Sequence, residues 1–209
     1  MKDRYWEFTD IVLRYLKKEY MKAFRSLGGT KLDELNLLKK TKSTYEHLDR
    51  LTREYLKKIA DDYYHRFNPK GKLDDDFIVY YLEYFDPVTK YQYDKETERK
   101  CARCYESLMA SKWWRPELKT ALKLWTLQAT HYCEEIAKQA TRKALKDRGA
   151  HMVQWVTADD ERVCEVCGKL DGKVFEIDEV PPTPHYNCRC ILYEYTGSKR
   201  DDRGDPADS

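Results

Sequence analysis

The chain has 209 residues, room for one or two domains, with 41% hydrophobic and 36% charged residues and a mean hydropathy of −0.87. No run approaches the roughly 18 apolar residues of a helical membrane span, so no membrane-spanning helix and no membrane partner are expected. A net charge of +2 excludes a uniformly basic nucleic-acid binder, although residues 1–60 hold 15 Lys/Arg against 9 Asp/Glu. That basic half suits contact with DNA or an acidic protein surface, and the plainer reading is a solvated helix face. Seventeen tyrosines suggest half-buried amphipathic faces, with rings packed and hydroxyls wet. Met1 to Glu7 shows no apolar core and no cleavage site, so no signal peptide is expected.

Taken in chain order, residues 5–26 read as a helix. Trp6, Ile11, Leu13, Leu16, Tyr20 and Phe24 fall mostly at three- and four-residue steps. Gly28-Gly29 should end it, and Thr30 can cap the next. A long pattern over 31–66 puts Leu35, Leu38, Tyr45, Leu48, Leu51, Tyr55, Ile59 and Tyr63 on one narrow stripe. The pattern is that of one long helix or a helical hairpin, broken at Asn68-Pro69-Lys70-Gly71.

A short aromatic helix is expected over 73–85, closed by Asp86-Pro87, with a loop or short extended piece over 88–93. Asp94 should cap a helix over 95–111. Pro116 should be the first residue of another, running to Arg148 with Leu118, Leu122, Trp125, Tyr132, Ile136 and Ala144 inward and Gly149 terminating it.

Periodicity then changes. Met152–Thr157 reads as a strand, and Thr157-x-x-Asp160 as a capping box opening into a turn at Cys164. Asp171-Gly172 reads as a hairpin turn leading into a strand Lys173–Ile177. Pro181-Pro182-Thr183-Pro184 is a stiff loop, and Arg189–Tyr195 a third strand. The expected fold class is α+β, mainly α: long amphipathic helices followed by a small zinc-stapled β-hairpin module. Its segments are a helical region 1–87, a second helical part 88–150, the metal-binding module 151–197 and a disordered tail 198–209.

The chemistry sits in that module. Cys164-x-x-Cys167 and His185-x-x-Cys188-Arg189-Cys190 present two chelating pairs separated by 17 residues. Thiolates and imidazole at this spacing suit a tetrahedral zinc that holds a small fold together. The expected ligands are Cys164, Cys167, His185 and Cys188, with Cys190 as the alternative to Cys188. Seven cysteines clustered this way favour metal over disulfides in a reducing compartment. Four or five soft donors leave no open coordination position, so a structural zinc and no catalysis are expected. Glu161 and Glu165 read as solvated carboxylates, and His47, His65 and His151 as ordinary polar residues. Cys101-x-x-Cys104 reads as packed helical cysteines rather than a second site with His131 or Cys133.

The order of these blocks carries a resemblance. Trp155-Val-Thr-x-x-Asp160-Glu-Arg-Val-Cys164-x-x-Cys167, Leu170-Asp-Gly-Lys-Val-Phe175, Ile177-Asp178 and Pro184-His185-x-x-Cys188-Arg-Cys190 resemble the phage head morphogenesis family, the minor head proteins that include the Mu F-like group. The preceding helix, with Trp125, Gln128, Tyr132 and its Ala144–Gly149 end, is similar as well, so the likeness covers about residues 90–195. It implies a non-enzymatic virion component, in the head near the portal after assembly in the bacterial host cytoplasm. Residues 1–87 would then meet the portal protein. The further partners implied are scaffolding or major capsid protein and packaged double-stranded DNA, with roles in head assembly and DNA packaging or ejection. The competing expectation from the residues alone is a zinc-containing nucleic-acid-binding module acting outside a particle.

Overall fold

The computed structural model describes residues 5–28, 33–84, 86–158 and 161–197. Its elements are α1 (Glu7–Leu27), α2 (Glu34–Phe67), α3 (Phe77–Glu83), α4 (Tyr93–Ala110), α5 (Trp114–Asp147), β1 (Met152–Val156), α6 (Glu165–Leu170), β2 (Val174–Glu176) and β3 (Ile191–Glu194). The expected α+β architecture dominated by helix is what forms.

α1 buries Val12, Leu13, Leu16, Tyr20, Phe24 and Leu27 on one seam. Ile11 faces outward at 49% exposure, against its expected inward position, because the seam passes through its neighbour Val12. α2 is one unbroken helix of 34 residues, about 50 Å long. Thr30 lies outside the described residues; the cap is Asp33, whose side chain accepts from the Asn36 backbone N–H at 2.9 Å.

The seam of α2 also differs from its expected register. Leu35 is 59% exposed and Leu38 half-buried, while Leu37 is buried. From Leu37 the seam continues through Thr41, Tyr45, Leu48, Thr52, Leu56, Ile59 and Tyr63. Its threonines disguised it. Thr52 Oγ1 donates to the Leu48 carbonyl at 2.7 Å and lies 2.7 Å from the Tyr20 hydroxyl, so a polar residue is satisfied inside the core.

Asp86 and Tyr91 form an isolated antiparallel bridge around a turn that holds Lys90 at φ 66°. α4 begins at Tyr93, so Asp94 sits within the first turn and does not cap. It pairs with Arg53 of α2 instead. Pro116 is the third rather than the first residue of α5. First-turn amides have no intrahelical acceptor, so a proline there forfeits nothing.

α5 contacts α1, α2, α4 and β3, and its buried residues include Leu118, Trp125, Tyr132, Ile136 and Ala144 as expected. It ends in a Schellman motif: Gly149 N–H donates to the Lys146 carbonyl at 2.9 Å and Ala150 N–H to that of Leu145 at 3.0 Å, with Gly149 at φ 89°.

The sheet has three antiparallel strands in the order β2-β1-β3, with β1 central. Val153 pairs with Phe175, Trp155 with Leu192 and Val156 with Ile191. Asp171-Gly172 is not a hairpin turn, since it joins α6 to β2; Gly172 supplies the positive φ of 72°. β3 starts at Ile191 rather than Arg189, because Cys188 and Cys190 curl beneath the sheet. Side chains alternate across the sheet. Ile191 and Val156 join the helical core, while Leu192, Trp155 and Val153 join a smaller cluster with Leu145, Ala150, Ile177 and the cysteines. One face of the sheet thus packs on the helical core and the other on the cluster that holds the Cys/His site, which the end of α5 also joins through Leu145. Asp160 and the tail from Ser198 lie outside the described residues, so the expected capping box and disordered end do too.

Candidate metal centre

Cys164 is the N-cap of α6 and Cys167 lies in its first turn. The Cys164 sulfur accepts the Cys167 backbone N–H at 3.4 Å. That bond holds the Cys164 thiol below its ordinary value. One helical turn therefore fixes both sulfurs on the same side.

The other half comes from the loop after β2. Thr183 is held between two residues of α5: Lys138 Nζ donates to its hydroxyl at 3.2 Å, and the hydroxyl donates to Glu135. His185 follows. Its Nδ1 lies 2.7 Å from the Tyr186 carbonyl, an acceptor, so Nδ1 carries the proton and the Nε2 lone pair is free. Asn187 then adopts φ 57°, a left-handed turn that asparagine tolerates. The turn brings Cys188 back toward the knuckle.

The five candidate donors converge. His185 Nε2 lies 3.1 Å from both Cys164 Sγ and Cys167 Sγ, and Cys167 Sγ lies 3.9 Å from Cys188 Sγ. Two groups of donors form, Cys164/Cys167/His185 and Cys167/Cys188/Cys190, each with its ligand atoms within 4.8 Å of one another. Cys167 belongs to both. The four expected ligands do not form a single group: Cys164, Cys167 and His185 lie together, while Cys188 joins Cys167 and Cys190 in the other. Cys167, Cys188 and Cys190 are buried, while Cys164 is part-exposed. This arrangement could hold a metal ion.

The surroundings tune the sulfurs. A hydrogen bond from Cys190, helped by the Lys138 ammonium, pulls the Cys188 thiol down to about 5 despite burial. The same pairing and burial push Cys190 up. Burial pushes Cys167 up to about 12. The residues that frame the site were hidden in the sequence. Lys138 and Glu134 look like helix surface charge, yet they are 3% and 8% exposed. Trp6, in the turn that opens α1, donates its indole N–H to the Arg189 carbonyl at 3.2 Å. That bond latches the start of the helical part onto the loop between Cys188 and Cys190.

Outside this cluster no metal-like group of three donors forms among the described residues. Burial pushes Cys101 and Cys104 up to about 11, as expected for packed helical thiols. Glu161, Glu165, His47, His65 and His151 are exposed. His131 is engaged elsewhere, 2.6 Å from an Asp86 carboxylate oxygen.

Residues 95–193 match the family described as phage Mu protein F like protein. The matched segment runs from the first turn of α4 into β3, so it takes in α5, the Cys/His cluster and most of the sheet. No curated protein and no solved structure matches the chain. Among the described residues no helix is long and apolar enough to cross a membrane.

Proposed function

We propose, from the membership of residues 95–193 in the phage Mu protein F like family, that this phage head-related chain is a minor head protein of a tailed phage or prophage. In this reading it docks on the portal protein, resides in the virion head, and acts in head assembly and DNA packaging or ejection. Scaffolding or major capsid protein are further partners in the same reading. The family match is the observation that carries it.

The metal is read as one structural zinc. Around zinc with thiolates at about 2.3 Å and imidazole at about 2.0 Å, two sulfurs lie about 3.8 Å apart and a sulfur and a nitrogen about 3.6 Å apart. The 3.9 Å and 3.1 Å separations here are near those edges. Cys164, Cys167, His185 and Cys188 would hold the ion. It supplies the cohesion that a nine-residue buried cluster lacks by itself. A closed set of soft ligands leaves no position for substrate, so the chain is proposed to be non-enzymatic.

The test is co-expression with the portal protein of the same phage, followed by purification on the portal. Retention of the chain at stoichiometric level, and its entry into assembled heads, are expected. Failure in both sinks the portal reading.

One observation favours direct DNA contact as well. The outer face of α1 exposes Arg14, Lys17, Lys18, Lys22 and Arg25. Binding to double-stranded DNA that weakens steeply with salt would support phosphate contact through this face, and no binding at low salt would end that idea.

A further inference from the structure

α2 and α4 run antiparallel. They are pinned at one end by the ion pair of Arg53 with Asp94, and at the other by the Tyr105 hydroxyl, which donates to Glu34 at 3.2 Å. Between them lies an open groove of about 440 Å³. Pockets of about 300–1,000 Å³ seat a drug-sized molecule, so this one is ample for a large side chain. Leu38, Cys101, Ala102 and Tyr105 give it an apolar lining. The lining also carries the carboxylates of Glu46, Asp49, Glu98 and Glu106 against one cation, Lys42. Asp49 and Glu98 are answered within the chain by Arg53 and Lys95. Glu46 and Glu106, one on each wall, form no ion pair among the described residues.

The apolar surface continues past the end of the groove. Leu35, three residues before Leu38 on α2, is 59% exposed, and Met109, four after Tyr105 on α4, is 46% exposed. Residues three and four apart share a helix face, so each wall extends its apolar line in the same direction. In the turn that follows α4 stands Trp113, at 78% the most exposed large apolar side chain among the described residues. Its backbone is fixed: Ser111 Oγ accepts from the Trp113 N–H at 3.1 Å and donates to the Trp113 carbonyl at 3.0 Å. A tryptophan on a backbone already fixed loses less freedom on binding, and tryptophan is among the residues that dominate interface energies. Lys112 and Arg115 flank it, both exposed and without an ion pair among the described residues.

Turn and groove are complementary. The indole suits the apolar lining, with Lys42 available to its face. The two flanking cations suit the two unanswered carboxylates, Glu46 and Glu106. Trp113 does not line the groove of its own chain, so the complement is between copies. It follows Tyr105 by eight residues, about 12 Å at helical rise. Two copies with their α4 helices antiparallel about a two-fold axis near Met109 therefore set each turn over the other's groove. Such a contact is self-complementary and closes at two subunits.

We propose that this face is a homodimer contact, in which Trp113 of each copy enters the groove between α2 and α4 of the other. The inference stands on this surface and does not draw on the head-assembly reading.

Sedimentation equilibrium of the full zinc-loaded chain tests it, and a reversible monomer–dimer equilibrium is expected between about 1 μM and 1 mM protein. Trp113→Ser should weaken dimerisation at least about thirtyfold, since an anchor is lost from both halves of the contact. Ala102→Arg should do the same by filling the groove, at an exposed position where arginine suits a helix. It keeps the test decisive if the tryptophan variant folds poorly. Lys112→Glu with Arg115→Glu should weaken the dimer, and adding Glu46→Lys with Glu106→Lys should restore most of the loss. Damage to folding alone would show no such rescue. Tyr80→Ser, in the exposed aromatic group of α3, should leave the equilibrium unchanged. Monomer throughout, a dimer that survives both Trp113→Ser and Ala102→Arg, a charge swap without rescue, or an open series of larger species overturns the proposal. Capture on the portal by a chain that stays monomeric would remove the dimer and leave the head reading standing.

Discussion

Cys167→Ser is the sharpest perturbation of the metal centre, because Cys167 is the one donor common to both Cys/His groups. Structural zinc contributes about 10–16 kcal/mol to small modules, so an equal share among four donors is about 3 kcal/mol, or about a hundredfold in affinity. The damage should stay local in sequence. The helical core draws its buried side chains from α1 to α5 and reaches the sheet through Ile191. The smaller cluster has nine buried residues, and three of them are cysteines of the site. Residues 155–195 should therefore loosen while α1, α2, α4 and α5 stay folded. One contact extends the effect: the Trp6 indole bond to the Arg189 carbonyl should weaken, so the first turn of α1 should fray too. Zinc content by elemental analysis and amide hydrogen exchange read these outcomes together. Full zinc occupancy against a competing chelator, with unchanged protection over 155–195, would refute the structural role of the site.

In the proposed zinc site Cys188 is the fourth ligand and Cys190 its alternative. Cys188→Ser should cost zinc affinity about a hundredfold and Cys190→Ser less than about tenfold, read by chelator competition; the opposite ranking would move the ligand to Cys190. Gly149→Ala tests the end of α5. No atom lies within 4 Å of the added carbon, so the cost is that of the positive φ alone, about 1 kcal/mol and a melting point lower by about 2–4 °C; an unchanged melting point would be inconsistent with the left-handed cap. Glu134 gives a pH dependence. Burial pushes its carboxyl from 4.5 up to about 8, partly offset by Lys138. The folded state therefore binds more protons than the unfolded one between those values, and this group's contribution to stability falls as pH rises from 4.5 through about 8. Glu134→Gln should raise the melting temperature more at about pH 8.5 than at about pH 5.5, a difference worth a few kcal/mol at most; an equal gain at both would show that the carboxyl ionises freely.

The chain's local chemistry was legible without its fold. Helix stops depend on residues next to one another, so Gly149 and Asn68-Pro69 were readable. The spacing of Cys164 and Cys167 is a property of one helical turn, and that of His185 and Cys188 of one tight loop, so both halves of the site could be read as chelating pairs. Which face of a helix turns inward is another matter, because it depends on what the partner helix offers. Thr41 and Thr52 lie on the seam of α2, and Thr52 has the Tyr20 hydroxyl waiting across it, whereas Leu35 is 59% exposed. Asp94 left its expected capping role because Arg53, 41 residues away, reaches it. The same reason explains why Asp86, His131 and Glu135 line one cleft. Their proximity is created by α5 passing through the middle of the fold, and no sequence interval records it. Sequence determined most of the elements and the Cys/His donor pairs; only tertiary packing decided which helix faces turn inward and how the donors group, because each depends on contacts between residues far apart in the chain.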